Sequence, residues 1–437
     1  MRIAYLAAGA AGMYCGSCLH DNTLAAALRQ RGEDVILAPI YTPIRTDEAD
    51  VSEQRVFFGG INAFLQQRFA LFRRTPRWLD AWLDSPWLLR MVSGRGVSVD
   101  PAKLGAMTVS MLQGEQGNQA KELDKLVDWL VGELRPDAVH LSNSMMLGLA
   151  RKIAQRCGPP VVCSLSGEDL FLEQLKAPHY EQARGLLRQR AQDVDAFVAL
   201  NEYYADFMAG YLDVPRGRVR VIPHGLELAG HGDRGPRAPG APQRVGFLAR
   251  VCRDKGVHLL VEACERLAGR EGVPPFELHV AGYRSPADKR FVAALERRAS
   301  AGALRGRYVD HGELTRAGKI ALLQSLDVFA TPTVYPESKG LPLLEAWANG
   351  VPAVVPHHGT YPELVNGCGG GLLHQPLDAA DLAAKIEQLL GDPARGAAMG
   401  RAGQAMVRSR HTAATMAEQT LTLYRELAAA RSAVATG

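Results

Sequence analysis

Short apolar segments rich in strand-forming residues alternate with amphipathic helical ones along the whole chain, and this alternation fixes the fold class. In the first half the apolar segments are RIAYLAA, DVILAPIY, DAVHLSNS, PVVCSLS, AFVAL and VRVIP. In the second they are RVGFLAR, ELHVAGY, YVDHG, VFATPT, PAVVP and GLLHQP. Stretches such as KELDKLVDWLVGEL and KGVHLLVEACERLAGR, with helical spacing of their apolar residues, separate them. A strand that must be followed by a helix before the next strand gives βαβ units. The expectation is therefore an α/β protein with parallel sheets covered by helices on both faces.

One stretch breaks the rhythm. From His224 to Gln243 the chain reads HGLELAGHGDRGPRAPGAPQ, rich in Gly and Pro and without a period, which reads as a linker. A chain of 437 residues is too long for one ordinary domain. The expected division is residues 1–225, a linker over 226–243, residues 244–412, and a final helix over 413–437 that packs back toward the N-terminal domain. An inserted helical segment is expected near 60–95. Two doubly wound, Rossmann-like domains facing each other across a cleft would bind ligands outside the C-terminal ends of their strands.

Composition excludes several classes. A net charge of +4 is close to neutral for this length and argues against nucleic acid as the main partner. Seven scattered cysteines suit a reducing cytoplasm better than a disulfide framework. No apolar run is long enough for a spanning helix. The start MRIAYLAAGAAGMYC, followed by LHDNTLAAALRQRG, reads as strand, glycine loop and helix rather than as a signal peptide.

The densest chemistry lies in ESKGLPLLEAWANGVPAVVP, from Glu337 to Pro356. VFATPT ends a strand near Thr333, and PLLEAWANG reads as a helix with Pro342 in its first turn and Gly350 after it. Glu337 then stands in the loop before the helix, and Glu345 about one turn inside it. Between them Ser338, Lys339, Gly340 and Leu341 bring backbone N–H groups to a helix N-terminus, a place for phosphate. Ionised carboxylates only accept hydrogen bonds, and paired hydroxyls donate them. The pair thus suits a ribose diol at one acid and a sugar at the other, with a diphosphate between. A lone glutamate is more often a solvated helix residue or a complement to the helix dipole. Here Arg250 and Lys255, in a loop leading into another helix, add a phosphate clamp, although loop cations are commonly just solvated.

FLARVCRDKGVHLLVEA, HVAGYR, the E-x7-E element of Glu337 and Glu345, and GTYPELVNGCGGGLL follow in order at suitable spacing. Together they resemble the donor-binding domain of retaining glycosyltransferases of family 4, which have the GT-B fold. In the first half CGSCLHDNTLAAALRQRGEDV resembles that family's glycine loop and first helix. DVDAFVALNEYYADFMAGYLDVPRGRVRVIPHG resembles the segment before its interdomain linker. The resemblance covers nearly the whole chain, most thinly from about Val51 to Gly105. It implies that Arg250 and Lys255 neutralise the donor diphosphate, that Glu345 holds the ribose hydroxyls and that Glu337 holds the transferred sugar. The backbone of Ser338 to Leu341 would line sugar and phosphate, and Gly16 would let the first domain's backbone approach the phosphate. Lys339 stands where the family commonly has an aromatic residue, a departure in the surroundings of the sugar.

The resemblance also implies a nucleotide-diphosphate sugar donor, with UDP preferred on family frequency, retention of configuration, no bound metal and no cofactor. No DxD-type motif stands in the sequence. An internal return, in which the leaving phosphate oxygen helps deprotonate the acceptor, fits the residues present. In SLSGEDLFL, Asp169 or Glu168 could face the cleft, Asp169 as a catalytic group or as a cap. The acceptor is unidentified: a small molecule, a glycan or a lipid. A GT-B isomerase or phosphorylase, and a silent nucleotide-sugar-binding module, remain the competing classes.

Two other signals compete for attention. Cys15 and Cys18 form a C-x-x-C, read as small residues in a tight loop rather than as a redox pair. His20 reads as a residue at the edge of the cleft. FLQQRFALFRRTPRWLDAWLDSPWLLRM, spanning 64–91, carries Trp78, Trp82 and Trp87 with Arg68, Arg73, Arg74, Arg77 and Arg90. That mixture suits either an inserted helical subdomain or peripheral contact with a membrane surface.

Overall fold

In the computed structural model the described residues are 1–9, 16–53, 67, 101–235 and 240–436. They fall into two compact units, Met1–Gly225 with Ala413–Gly437, and Leu226–Thr412. Apart from Gln67, the expected insertion near 60–95 and the tryptophan–arginine segment 64–91 lie outside the described residues, as do Cys15 and part of the glycine-rich linker. Among the described residues no helix is long and apolar enough to cross a membrane.

Unit 1 carries β1 (Arg2–Ala7), β2 (Asp34–Pro39), β3 (Ala138–Leu141), β4 (Val161–Ser164), β5 (Ala196–Ala199) and β6 (Val219–Val221). They form one parallel sheet in the order β2-β1-β3-β4-β5-β6. Both faces are covered, which is why the strands read as continuous apolar runs rather than alternating ones. Along β1, Ala4 and Leu6 enter one buried cluster and Ile3, Tyr5 and Ala7 the opposite one. The C-terminal helix Ala413–Thr436 belongs to this unit and adds Met416, Ala417, Leu421 and Tyr424 to the second cluster.

Unit 2 carries β7 (Gln243–Leu248), β8 (Phe276–Ala281), β9 (Tyr308–Gly312), β10 (Val328–Ala330), β11 (Ala353–Pro356) and β12 (Gly371–His374). They too pair in parallel, in the order β12-β11-β10-β7-β8-β9. The chain lays β8 and β9 on one side of β7, then returns to lay β10, β11 and β12 on the other. Loops leaving β7 and β10 consequently diverge at the strands' C-terminal ends, where an open α/β sheet makes its ligand crevice. In unit 1 the corresponding reversal lies between β1 and β3.

Two details go beyond the sequence reading. KELDKLVDWLVGEL is not one uniform helix: Ala120–Trp129 is α-helical and Leu130–Leu134 is a π turn. Arg135, at φ +48° and with its N–H on Leu130 O at 2.7 Å, closes that wide turn just before Pro136. His20 is buried in unit 1, its Nδ1 2.8 Å from Nδ1 of His224.

Candidate functional site in unit 2

The loops after β7 and β10 are tied together by backbone: Val334 N–H donates to Asp254 O at 2.9 Å. Lys255 stands one residue from that tie, just before the helix Val257–Ala268. Its Nζ donates to Glu337 Oε2 at 2.6 Å and lies 5.0 Å from the centre of the Tyr335 ring. Tyr335 Oη donates to the same oxygen at 3.1 Å, and Lys339 N–H donates to Oε1 at 3.3 Å. Glu337 is thus a buried acid with partners on both oxygens. Burial alone would raise its carboxyl, but the charge and hydrogen bond of Lys255 outweigh that and hold it down at about 2. Burial would likewise lower the Lys255 ammonium, and Glu337 reverses the effect and pushes it up.

The main chain of Glu337 is fixed from behind. Thr360 N–H donates to Glu337 O at 2.8 Å. Gly359, at φ +62°, packs so closely that a Cβ there would fall 2.4 Å from both N and O of Glu337. Only glycine serves at that contact.

Glu345 occupies the next position along, buried in the helix Leu341–Ala348, which opens at Gly340 with Pro342 in its first turn. It does not touch Glu337 in any described contact. Lys319 Nζ, from the helix Arg316–Ser325, donates to Glu345 Oε1 at 2.5 Å, and Asn349 Nδ2 donates to the Glu345 carbonyl at 2.9 Å. The two acids are therefore held by separate cations at opposite ends of the segment Ser338–Leu341. Arg250 shares the β7 loop with Lys255, but its described partners are Cys252 Sγ at 3.2 Å and Asp254 at 3.5 Å. Its side chain is 43% exposed, so it is a cation in reach of solvent and ligands.

Sequence reasoning singled out Glu337, Glu345, Lys255 and Arg250; the structure adds Tyr335 and Gly359 beside Glu337 and Lys319 beside Glu345. Sequence reasoning also treated the Lys339 N–H as available to phosphate, whereas Glu337 Oε1 occupies it. A signal for Lys319 existed: it lies three and four residues before the buried Leu322 and Leu323, so it sits on the apolar face of its helix.

In unit 1, Gly16 opens the helix Gly16–Gln30 after β1. Asp169 follows β4, and its Oδ1 accepts from Tyr204 Oη at 2.6 Å. Burial pushes the Asp169 carboxyl up, and the hydrogen bond from Tyr204 offsets this only in part. Glu168, by contrast, staples loops: it accepts from Ser144 N–H and Ser166 N–H, each at 2.7 Å. Asp169 is thus the more accessible acid of the two.

Two family descriptions match the chain, "Glycosyl transferases group 1" over residues 233–406 and "Glycosyl transferase 4-like domain" over residues 22–225. A glycogen synthase of Mycobacterium tuberculosis is 27% identical over 292 residues, 66% of this chain and 69% of that protein. Among solved structures, sucrose-phosphate synthase of Thermosynechococcus elongatus superposes with a TM-score of 0.71 at 18% identity, covering 98% of this chain and 100% of that one. HepE of Anabaena, in complex with UDP, superposes with a TM-score of 0.66 at 19% identity over 98% and 100% of the two chains.

Proposed function

This chain is a glycosyltransferase of group 1 with the GT-B fold, and from that premise we propose that it moves a sugar from a nucleotide-diphosphate sugar, UDP-linked by preference, to an acceptor hydroxyl. The observation that carries the proposal is the pair of separately held carboxylates at the β7/β10 reversal, Glu337 on Lys255 and Glu345 on Lys319. Glu345 accepts the ribose hydroxyls, and Glu337 accepts hydroxyls of the transferred sugar. The helix N-terminus at Gly340 and Leu341, with Ser338 and Lys339 beside it, lines the diphosphate. Lys255 and Arg250 stabilise the charge that grows on the leaving group, an electrostatic contribution of large effect. In unit 1, Gly16 leaves room for backbone near a phosphate, and Asp169 receives the acceptor hydroxyl. The UDP in the HepE structure supports the choice of nucleotide.

The reaction retains configuration and needs no metal in this reading. The C1–O bond to the phosphate breaks with its electron pair passing to the phosphate oxygen. The acceptor oxygen bonds to C1 on the same face, and that phosphate oxygen takes the acceptor's proton. The enzyme acts in the cytoplasm. Incubation with a panel of nucleotide sugars, with and without candidate acceptors, tests the proposal. A glycosylated product that forms only with acceptor is the expected result. Interconversion of the donor without acceptor would make the protein an isomerase, and binding without turnover a silent module; either would overturn the proposal.

A further inference from the structure

Lys319 is 9% exposed and Glu345 6%, so their 2.5 Å contact is a buried ion pair. Such a pair is a poor source of stability, because an apolar pair of similar volume would do as well or better. What it does supply is a carboxylate held in one position within an otherwise apolar, buried helix. The neighbours of Glu345 along its helix, Leu344, Ala346 and Trp347, are buried hydrophobics. Without a cation a carboxylate there would be desolvated and uncompensated. The second fixture is Asn349, which holds the Glu345 carbonyl and stands 2.9 Å from His231 Nδ1, anchoring the end of the same helix.

We infer that Lys319 is a positioning residue for nucleotide recognition: it engages Glu345 Oε1 so that the charged carboxylate meets the ribose hydroxyls in one fixed orientation. The inference rests on the reading that Glu345 grips the ribose. Lys319 acts on the nucleotide through Glu345, not through phosphate or sugar. Its removal should therefore be felt by a nucleotide only insofar as that nucleotide has ribose hydroxyls to offer.

Calorimetry on the full chain with UDP and with 2′,3′-dideoxyuridine diphosphate tests this, using the wild type, Lys319→Met and Glu345→Ala. A charge-assisted hydrogen bond carries roughly a ten- to hundredfold effect on affinity. Lys319→Met should weaken UDP by about tenfold or more and the dideoxy nucleotide by less than about threefold. Equal losses on the two nucleotides would mean that Lys319 supports the fold and not the ribose, which overturns the inference. So would a Lys319→Met protein that binds UDP normally while Glu345→Ala does not. Normal UDP binding by Glu345→Ala would instead remove the ribose reading itself. If Lys319→Met unfolds on heating well below the wild type, Lys319→Gln, which keeps a donor without the charge, decides between the same outcomes.

Discussion

Glu337 draws three donors to one buried carboxylate, and its stability contribution follows from that geometry. Its folded value of about 2 lies below the ordinary 4.5. The stabilisation is therefore fully present above about pH 4.5 and is lost as pH falls toward 2. A depression of that size corresponds to on the order of 3 kcal/mol. Glu337→Gln should lower stability by up to this amount at pH 7 and by less than half of it at pH 3, read from denaturant melts at the two pH values. A deficit that stays constant across that range would show that the ion pair with Lys255 is not its source. At this scale the sequence revealed acids and missed their partners. Glu337 and Glu345 stand out because they bracket a glycine and a helix start. Lys319 lies 26 positions from the acid it holds, and no local pattern links the two.

The strands were legible because a parallel sheet buried on both faces favours uninterrupted apolar segments, as in AFVA of β5 and VFA of β10. What local sequence does not encode is which loops meet. Gly359 and Glu337 are brought together because β10 and β11 pair as parallel neighbours, which sets the loops at their C-terminal ends side by side. Gly369 makes a fair comparison, since its φ of +71° resembles the +62° of Gly359 but a Cβ there would meet nothing within 4 Å. Gly369→Ala should cost about 1 kcal/mol for the left-handed backbone alone. Gly359→Ala should cost more, on the order of 2–3 kcal/mol, because backbone rather than a pliable side chain obstructs the new atom. Thermal melts of the two variants compare them. Similar costs would show that the approach of Gly359 to Glu337 is not a constraint.

Over the whole molecule the chain passes from unit 1 to unit 2 at residue 225 and back at 412, so the last helix completes the unit that begins the sequence. Tyr424 on that helix is fully buried, and its hydroxyl lies 2.5 Å from His140 Nδ1 on β3. Burial holds the His140 imidazole down at about 3, so it packs as a neutral ring. Tyr424→Ala should destabilise unit 1 by about 3–5 kcal/mol, the range for losing a buried aromatic. Hydrogen exchange should then accelerate across β1 to β6 and stay unchanged across β7 to β12. Equal acceleration in both sheets would contradict two separate cores. Calorimetry with UDP and a UDP-sugar tests the division of labour between the two acids most directly. Glu345→Ala should weaken both ligands alike, by on the order of 1.5–3 kcal/mol for a lost charge-assisted contact. Glu337→Gln should leave UDP bound as tightly or more so, with Lys255 released to the diphosphate, while weakening the UDP-sugar. Equal losses of both ligands in both variants would contradict the account.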